Sequence, residues 1–197
     1  KTNWWFVGRR SLIVRLFKGV KDKKILEVGC GTGITLSAIK NNEVLGVDNS
    51  KFLVKNHVID NVVLGDANDL RFKNNSFDGI VTHHVIEHID DDRLFLSEIK
   101  RALKPGGFAI IGTPNRERLA RVFADIFTGK RKFPWWEHKR EYTKEDLQNL
   151  KADAGFKDAL IYSKFFGLHS HSLIAGFSRC PGLLERWCNF LFLVLVK

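Results

Sequence analysis

The stretch Ile25-Leu-Glu-Val-Gly-Cys-Gly-Thr-Gly33 constrains this chain more than any other. Apolar residues of strand character run straight into glycines at alternate positions, with an acid, Glu27, just before the first of them. A buried strand followed at once by a Gly-rich turn and a helix is how an open α/β sheet presents its backbone to a ligand. Glycine permits both the close approach and the positive φ that such turns need. What the turn lacks is equally informative. It has neither the Gly-x-x-Gly ending of a dinucleotide site nor the Lys-Ser/Thr of a P-loop, so it carries no device for a pyrophosphate or a triphosphate.

Strand and helix patterns alternate around this turn. The first strand is predicted over 24–28 and a helix over 34–40. Further strands are predicted over 43–47, ended by Asp48, over 62–65, ended by Asp66, and over 77–82, where a near-continuous apolar run suits a strand covered on both faces. Leu94, Phe95, Ile99 and Leu103 share one side of a helix over 89–103. Lys104-Pro-Gly-Gly107 stops it, and a fifth strand covers 108–112. A helix over 117–127 and a basic-aromatic loop over 129–142 follow. Thr143 and Asp146 form a capping-box pattern for a helix over 144–154, with Gly155 as its stop and a sixth strand over 156–162. Residues 163–180 give no clear pattern, and 181–188 suit a short helix. The apolar run 190–196 is read as a buried last strand or a helix cut short, not as a membrane span, since a spanning helix needs about 20 residues. Ahead of all this, Leu12, Ile13, Leu16 and Phe17 recur at helical spacing behind Trp4-Trp5-Phe6 and Arg9-Arg10. The alternation argues for a parallel, doubly wound sheet.

Carboxylates punctuate the ends of the strands. Asp48, fifteen residues after Gly33, can accept hydrogen bonds from two vicinal ribose hydroxyls. Asp66 beside the small Ala67 can take an exocyclic amine and leave room for an adenine ring. Glu27 suits an ammonium or another cation. The implied ligand is a nucleoside without phosphates.

Taken in order, Glu27-Val-Gly-Cys-Gly-Thr-Gly33, Gly46-Val-Asp48, Gly65-Asp-Ala67, Phe77-Asp-Gly-Ile-Val81 and Leu103-Lys-Pro-Gly-Gly107 resemble the successive motifs of class I S-adenosylmethionine-dependent methyltransferases, of the small-molecule type. The resemblance covers roughly residues 4–196. It implies a Rossmann-like, mostly parallel seven-stranded sheet whose last strand is antiparallel, with an N-terminal helix and a lid insert between strands five and six. It also implies S-adenosylmethionine as cofactor. Gly29, Cys30, Gly31 and Gly33 would line the methionine moiety with Glu27 near its ammonium, Asp48 and Asn49 the ribose, and Asp66 and Ala67 the adenine, with His83 nearby. The interval from Asp48 to Asp66 is shorter than such proteins usually have, which leaves the intervening helix open.

Thr82-His-His-Val-Ile-Glu-His88 follows the fourth strand, where the resemblance puts cofactor and substrate together. It contains His-x-x-Glu-His, a zinc-peptidase pattern in which His84 and His88 would share a helix face. Such peptidases have no need of the nucleoside constellation upstream. Some methyltransferases of catechol-type quinone precursors are similar here, with two carboxylates and a histidine holding a divalent metal, but His84 stands where one carboxylate belongs. A third reading makes His83 or His84 a general base, which suits a group titrating near neutrality. A fourth makes His88 a structural residue at the helix start. No metal ligand is assigned. His138, in a segment similar to that before strand six in many small-molecule methyltransferases, is expected close to the active site, so the catalytic candidates are His83, His84 and His138. Phe133, Trp135 and Trp136 form the apolar wall of a lid over 115–142, or simply pack on the body.

Charge separates the parts. Residues 1–24 carry +7, 25–115 carry −3, 116–140 carry +5 and the remainder +1, within a net charge of +10 over 197 residues. The basic flanks suit an anionic partner: a charged small molecule, a membrane surface or a nucleic acid. Three cysteines without metal-type spacing argue against a disulfide framework and for a reducing, cytoplasmic setting. No methionine is present, so the chain is read as a fragment or as lacking those residues. The expectation is one methyltransferase domain over 1–197, with a basic-aromatic helix over 1–23. It would methylate an O, N or C atom of a small, anionic or partly apolar acceptor such as a lipid, quinone precursor or glycan intermediate. RNA, DNA or protein methylation and a non-catalytic S-adenosylmethionine-binding module are the alternatives, nucleic acid being disfavoured by the lack of an RNA-binding module. Oligomeric state is not legible.

Overall fold

The structure, a computed structural model, describes residues 17–118, 122, 126, 137–156, 158–164 and 190–197. The expected N-terminal helix before Phe17, most of the helix over 117–127, Phe133, Trp135, Trp136 and the helix over 181–188 lie outside the described residues.

The described strands form one seven-stranded sheet in the order β3-β2-β1-β4-β5-β7-β6. They are β1 Lys24–Val28, β2 Glu43–Asp48, β3 Val62–Leu64, β4 Phe77–His83, β5 Leu103–Pro114, β6 Asp158–Lys164 and β7 Phe190–Val196. The first five pair in parallel, and β7 runs antiparallel between β5 and β6. Successive strand residues point to opposite faces, and both faces are apolar. Leu26, Val28, Ile80, Ala109, Ile111 and Leu193 enter one core, with Phe95 and Ile99 of α2 (Asp92–Ala102) and Leu147 and Leu150 of α3 (Lys144–Asp153). Ile25, Val81, Ile110, Phe190 and Phe192 enter the other, against Phe17, Leu36 and Ile39. The apolar runs Ile80–Val81 of β4, Phe108–Ile111 of β5 and Phe190–Val196 of β7 follow from this two-sided burial.

Local chemistry sets most boundaries. The Asp91 carboxylate accepts from the Leu94 N–H at 2.9 Å, so α2 starts at Asp92, inside the expected 89–103. The Thr143/Asp146 capping box forms in both directions and opens α3. The expected helix over 34–40 is instead a single 3-10 turn, Leu36–Ala38, because Asn41 adopts φ 60° and the chain must re-enter the sheet at Glu43. A five-residue helix, α1 (Lys51–Lys55), capped by Ser50, fills the short interval between Asp48 and Asp66. The α2 helix does stop ahead of Lys104–Gly107, at Ala102, but that stretch is not a separate turn before the fifth strand: β5 already begins at Leu103, and Lys104–Gly107 is an irregularity within it, between the Phe77–Leu103 and Gly79–Phe108 pairs. β6 starts at Asp158, later than expected, since Phe156 is buried as an anchor beneath the Lys100 chain.

At the end of the sheet away from the glycine turn, Asp78 accepts from the Lys24 N–H at 2.9 Å and Lys104 Nζ at 2.8 Å. Burial pushes this carboxyl up, but Lys104 and the Lys24 amide outweigh it and hold the pKa below its ordinary value. A lowered folded-state pKa gives stability that is present above the unfolded pKa and lost as pH falls through the folded one. Asp78→Asn is therefore expected to cost about 1 kcal/mol at neutral pH. In denaturant titrations the gap from the parent narrows below about pH 4 and closes as the folded carboxyl protonates.

Candidate active site

The chain builds outward from β1 to β2 and β3, then crosses back to place β4 on the other side of β1. Open α/β sheets bind ligands at the carboxyl ends of strands where the order reverses. A cavity of about 500 Å³ lies there, lined by the ends of β1, β2 and β4 and by Gly65–Ala67 after β3.

The glycine turn forms one wall. Gly29, Gly31 and Gly33 all have positive φ. Gly29 is the most confined, since a Cβ there would stand 2.2 Å from Val85 Cγ2. The Gly29 and Cys30 N–H groups both donate to the Val47 carbonyl, at 2.8 and 3.1 Å, tying the turn to β2. Asp48 then closes the corner. Its carboxylate accepts from the Gly31 N–H at 2.7 Å and the Ser50 N–H at 2.9 Å. These bonds orient both oxygens and leave acceptor capacity for a ligand's hydroxyls. Asp66 is fixed similarly by the Asn68 N–H at 2.8 Å, with Ala67 beside it on the cavity wall.

Gly29, Asp48, Asn49, Asp66 and Ala67 thus line the cavity, while Glu27, Cys30, Gly31, Gly33, His83 and His138 are not among its lining residues. Glu27 is buried within β1. The Cys30 side chain faces the core, packed against Gly46 and in one apolar cluster with Leu36. Burial, with Glu27 and Asp48 nearby, pushes its thiol up to about 12, so it stays protonated. His83 sits on the sheet, edge-on to Phe192 at 5.1 Å. Gly112 makes room for it, because a Cβ there would come 2.3 Å from the ring.

His84 turns the other way. It has φ 55°, lines the cavity, and places Nδ1 2.8 Å from Glu87 Oε1. The helix that would stack His84 above His88 does not form, so the zinc-peptidase reading fails; β4 instead breaks at His84 into a 3-10 turn, Ile86–His88. Glu87 is fully buried and also accepts from Thr113 Oγ1 at 3.2 Å. Burial pushes its carboxyl up, but the His84 bond and charge outweigh this and keep it below the usual range.

A returning segment, 137–142, is strapped across this turn. The Lys139 and Arg140 N–H groups donate to the Glu87 carbonyl at 2.8 and 3.3 Å. Arg140 pairs with Asp92 at 2.6 Å, and Tyr142 donates to Asp92 at 3.0 Å. The strap brings His138 to His88, with ring centroids 4.9 Å apart. His138 Nδ1 lies 3.3 Å from Glu141, whose carboxylate Arg118 grips at 2.8 and 3.2 Å. Burial lowers the His138 pKa, against the opposing pull of Glu87 and Glu141, so the ring is neutral at neutral pH. Ser50, Arg118, Glu137 and Glu141 are not singled out by the sequence; their places come from the structure alone.

A methyltransferase-domain family model matches residues 26–111. The chain is 31% identical over 173 residues to a Mycobacterium tuberculosis protein named "Probable S-adenosylmethionine-dependent methyltransferase", covering 84% of this chain and 60% of the relative. It is 32% identical over 129 residues to a Mesorhizobium japonicum ubiquinone biosynthesis O-methyltransferase, covering 60% and 51%. A Thermotoga maritima structure described as a "SAM-dependent methyltransferase, possible histamine N-methyltransferase" matches at TM-score 0.70 and 25% identity, covering 98% of this chain and 93% of that one. The chain thus spans about 60% of the length of the Mycobacterium relative. The sheet order, the antiparallel last strand and the cavity at the switch point are those of the class I S-adenosylmethionine-dependent methyltransferase fold, and the chain is similar in sequence to S-adenosylmethionine-dependent methyltransferases.

Proposed function

We propose that this protein transfers a methyl group from S-adenosylmethionine to a small-molecule acceptor held over the end of β4. The observation that carries the reading is the Asp48 carboxylate, aimed by the Gly31 and Ser50 amides and lining the same cavity as Gly29 and Ala67. Asp48 and Asn49 hold the ribose, Asp66 and Ala67 the adenine. The turn of Gly29, Cys30, Gly31 and Gly33 gives backbone to the methionine moiety, with Glu27 beneath. The bound cofactor supplies a methyl group already activated on a sulfonium. The chain's task is alignment, which can supply on the order of 7–11 kcal/mol.

His84 is the group best suited to take a proton from the acceptor. It lines the cavity, and its Nδ1 is held by the buried Glu87 carboxylate, the arrangement that orients an imidazole base. His138 positions the strap, and His83 supports β4. The acceptor is anionic or partly apolar, in keeping with the +7 and +5 segments 1–24 and 116–140 and with the name of the Mesorhizobium relative.

Calorimetry with S-adenosylmethionine and S-adenosylhomocysteine is expected to give one site, and failure of both to bind overturns the reading. Labelled methyl is then expected in lipid, quinone-precursor or sugar pools; label confined to RNA instead assigns the basic segments to nucleic acid. His84→Ala is expected to slow transfer about 10²–10⁴-fold with cofactor affinity kept. Unchanged turnover removes His84 from the mechanism.

A further inference from the structure

We propose that Glu87, His88 and His138 form a binding site for a divalent transition-metal ion of the zinc type, behind the wall of the cofactor cavity, which His88 alone of the three lines. One ligand atom from each residue lies within 4.8 Å of the others. Two imidazoles and a carboxylate are a donor set that zinc and its neighbours in the first transition row prefer over magnesium or calcium.

The surroundings supply the second argument. Metal-bound histidines usually donate their far ring N–H to a carbonyl or carboxylate, which fixes the tautomer and raises ligand basicity. Both rings have such a partner here. His88 Nδ1 lies 3.0 Å from the Glu137 carbonyl, an acceptor only, so it must donate. His138 Nδ1 lies 3.3 Å from the Glu141 carboxylate, itself clamped by Arg118. In both rings this tautomer leaves the lone pair on Nε2. Glu87 contributes a buried carboxylate, and its bonds to His84 and Thr113 use only part of its acceptor capacity. Tetrahedral zinc sets ligand atoms about 3.4 Å apart, so binding draws the three groups inward.

The elements that carry the ligands explain how they can close. Glu87 and His88 belong to the short turn after β4, and His138 to the strap bonded to that turn through Lys139 and Arg140. A bound ion would lock the strap to the sheet. His88 lines the cavity, so a further coordination position is open to an acceptor oxygen or water.

The test uses the metal alone and needs neither cofactor nor methyl transfer, so its outcome is independent of the reading above. Metal-stripped protein is titrated with ZnCl2 by calorimetry and with CoCl2 by visible absorption. One equivalent per chain is expected, with the intense d–d bands of a four- or five-coordinate cobalt ion. His88→Gln and His138→Gln are expected to weaken binding by more than tenfold and remove the bands, with circular dichroism unchanged. Glu141→Gln, which leaves all three ligands present, is expected to weaken binding about 10–100-fold. His57→Gln, at an exposed histidine away from the cluster, is expected to bind like the parent. Absence of a stoichiometric site, or binding that survives folded His88→Gln and His138→Gln variants, overturns the proposal.

Discussion

Asp48→Ala is expected to weaken S-adenosylhomocysteine binding by about 10²–10⁴-fold. Hydrogen bonds to a charged acceptor are worth about 1.5–3 kcal/mol each, and two vicinal hydroxyls would lose theirs together. The backbone loses too. Gly31 and Ser50 donate to this carboxylate, so the substitution releases the turn on one side and the entrance to α1 on the other. Asp48→Asn keeps the volume but presents an NH2 group to one of those two donors, so it is expected to fall between Ala and the parent. Calorimetry with the product analogue measures the loss, and thermal melts separate it from unfolding. An affinity within threefold of the parent in folded Asp48→Ala would remove Asp48 from the cofactor site.

Gly29→Ala is expected to cost about 2–5 kcal/mol of stability and to abolish cofactor binding. The left-handed backbone there, φ 73°, costs a side-chain-bearing residue about 1–2 kcal/mol. A Cβ 2.2 Å from Val85 Cγ2 adds overpacking of about 1–3 kcal/mol, because Val85 is held between the His84 break and the Ile86–His88 turn. At about 2–4 °C per kcal/mol for a chain of this size, the melting temperature drops roughly 5–20 °C. Gly106 is the internal control. Its φ is 74°, yet nothing lies within 4 Å of a Cβ there, so Gly106→Ala should show the backbone cost alone. Equal losses at the two positions would mean that the approach of Val85 to the turn has no energetic consequence.

The contrast between these glycines marks the reach of sequence reasoning. Both read as turn glycines and both have positive φ, but Gly106 lies in the irregularity of β5, and only packing tells their tolerance of a side chain apart. The helix expected over 34–40 failed for a related reason. Leu36 and Ile39 are indeed buried, yet the left-handed Asn41 turns the chain back into β2 and only one 3-10 turn forms. The capping box at Thr143 and the strand at Phe190–Val196 were read correctly because each is decided by residues within a few positions of one another.

The candidate histidines divide along the same line. From sequence, His83, His84, His88 and His138 are alike in chemistry. The sheet assigns them different places: His83 over Gly112, His84 onto Glu87 at the cavity, and His88 against His138. Neighbouring residues on a strand face opposite sides, and the positive φ of His84 then breaks the alternation.

What the sequence determined by itself is the ligand class and the scaffold. Strand, glycine turn and terminal carboxylates recur at spacings fixed by local backbone geometry, and together they describe a phosphate-free nucleoside site on a doubly wound sheet. What only the tertiary structure decided is the pairing of Glu87 and His88 with His138. That contact depends on the Arg140–Asp92 and Lys139–Glu87 bonds that strap residues 137–142 across the end of β4, and such long-range docking leaves no periodic trace in either segment.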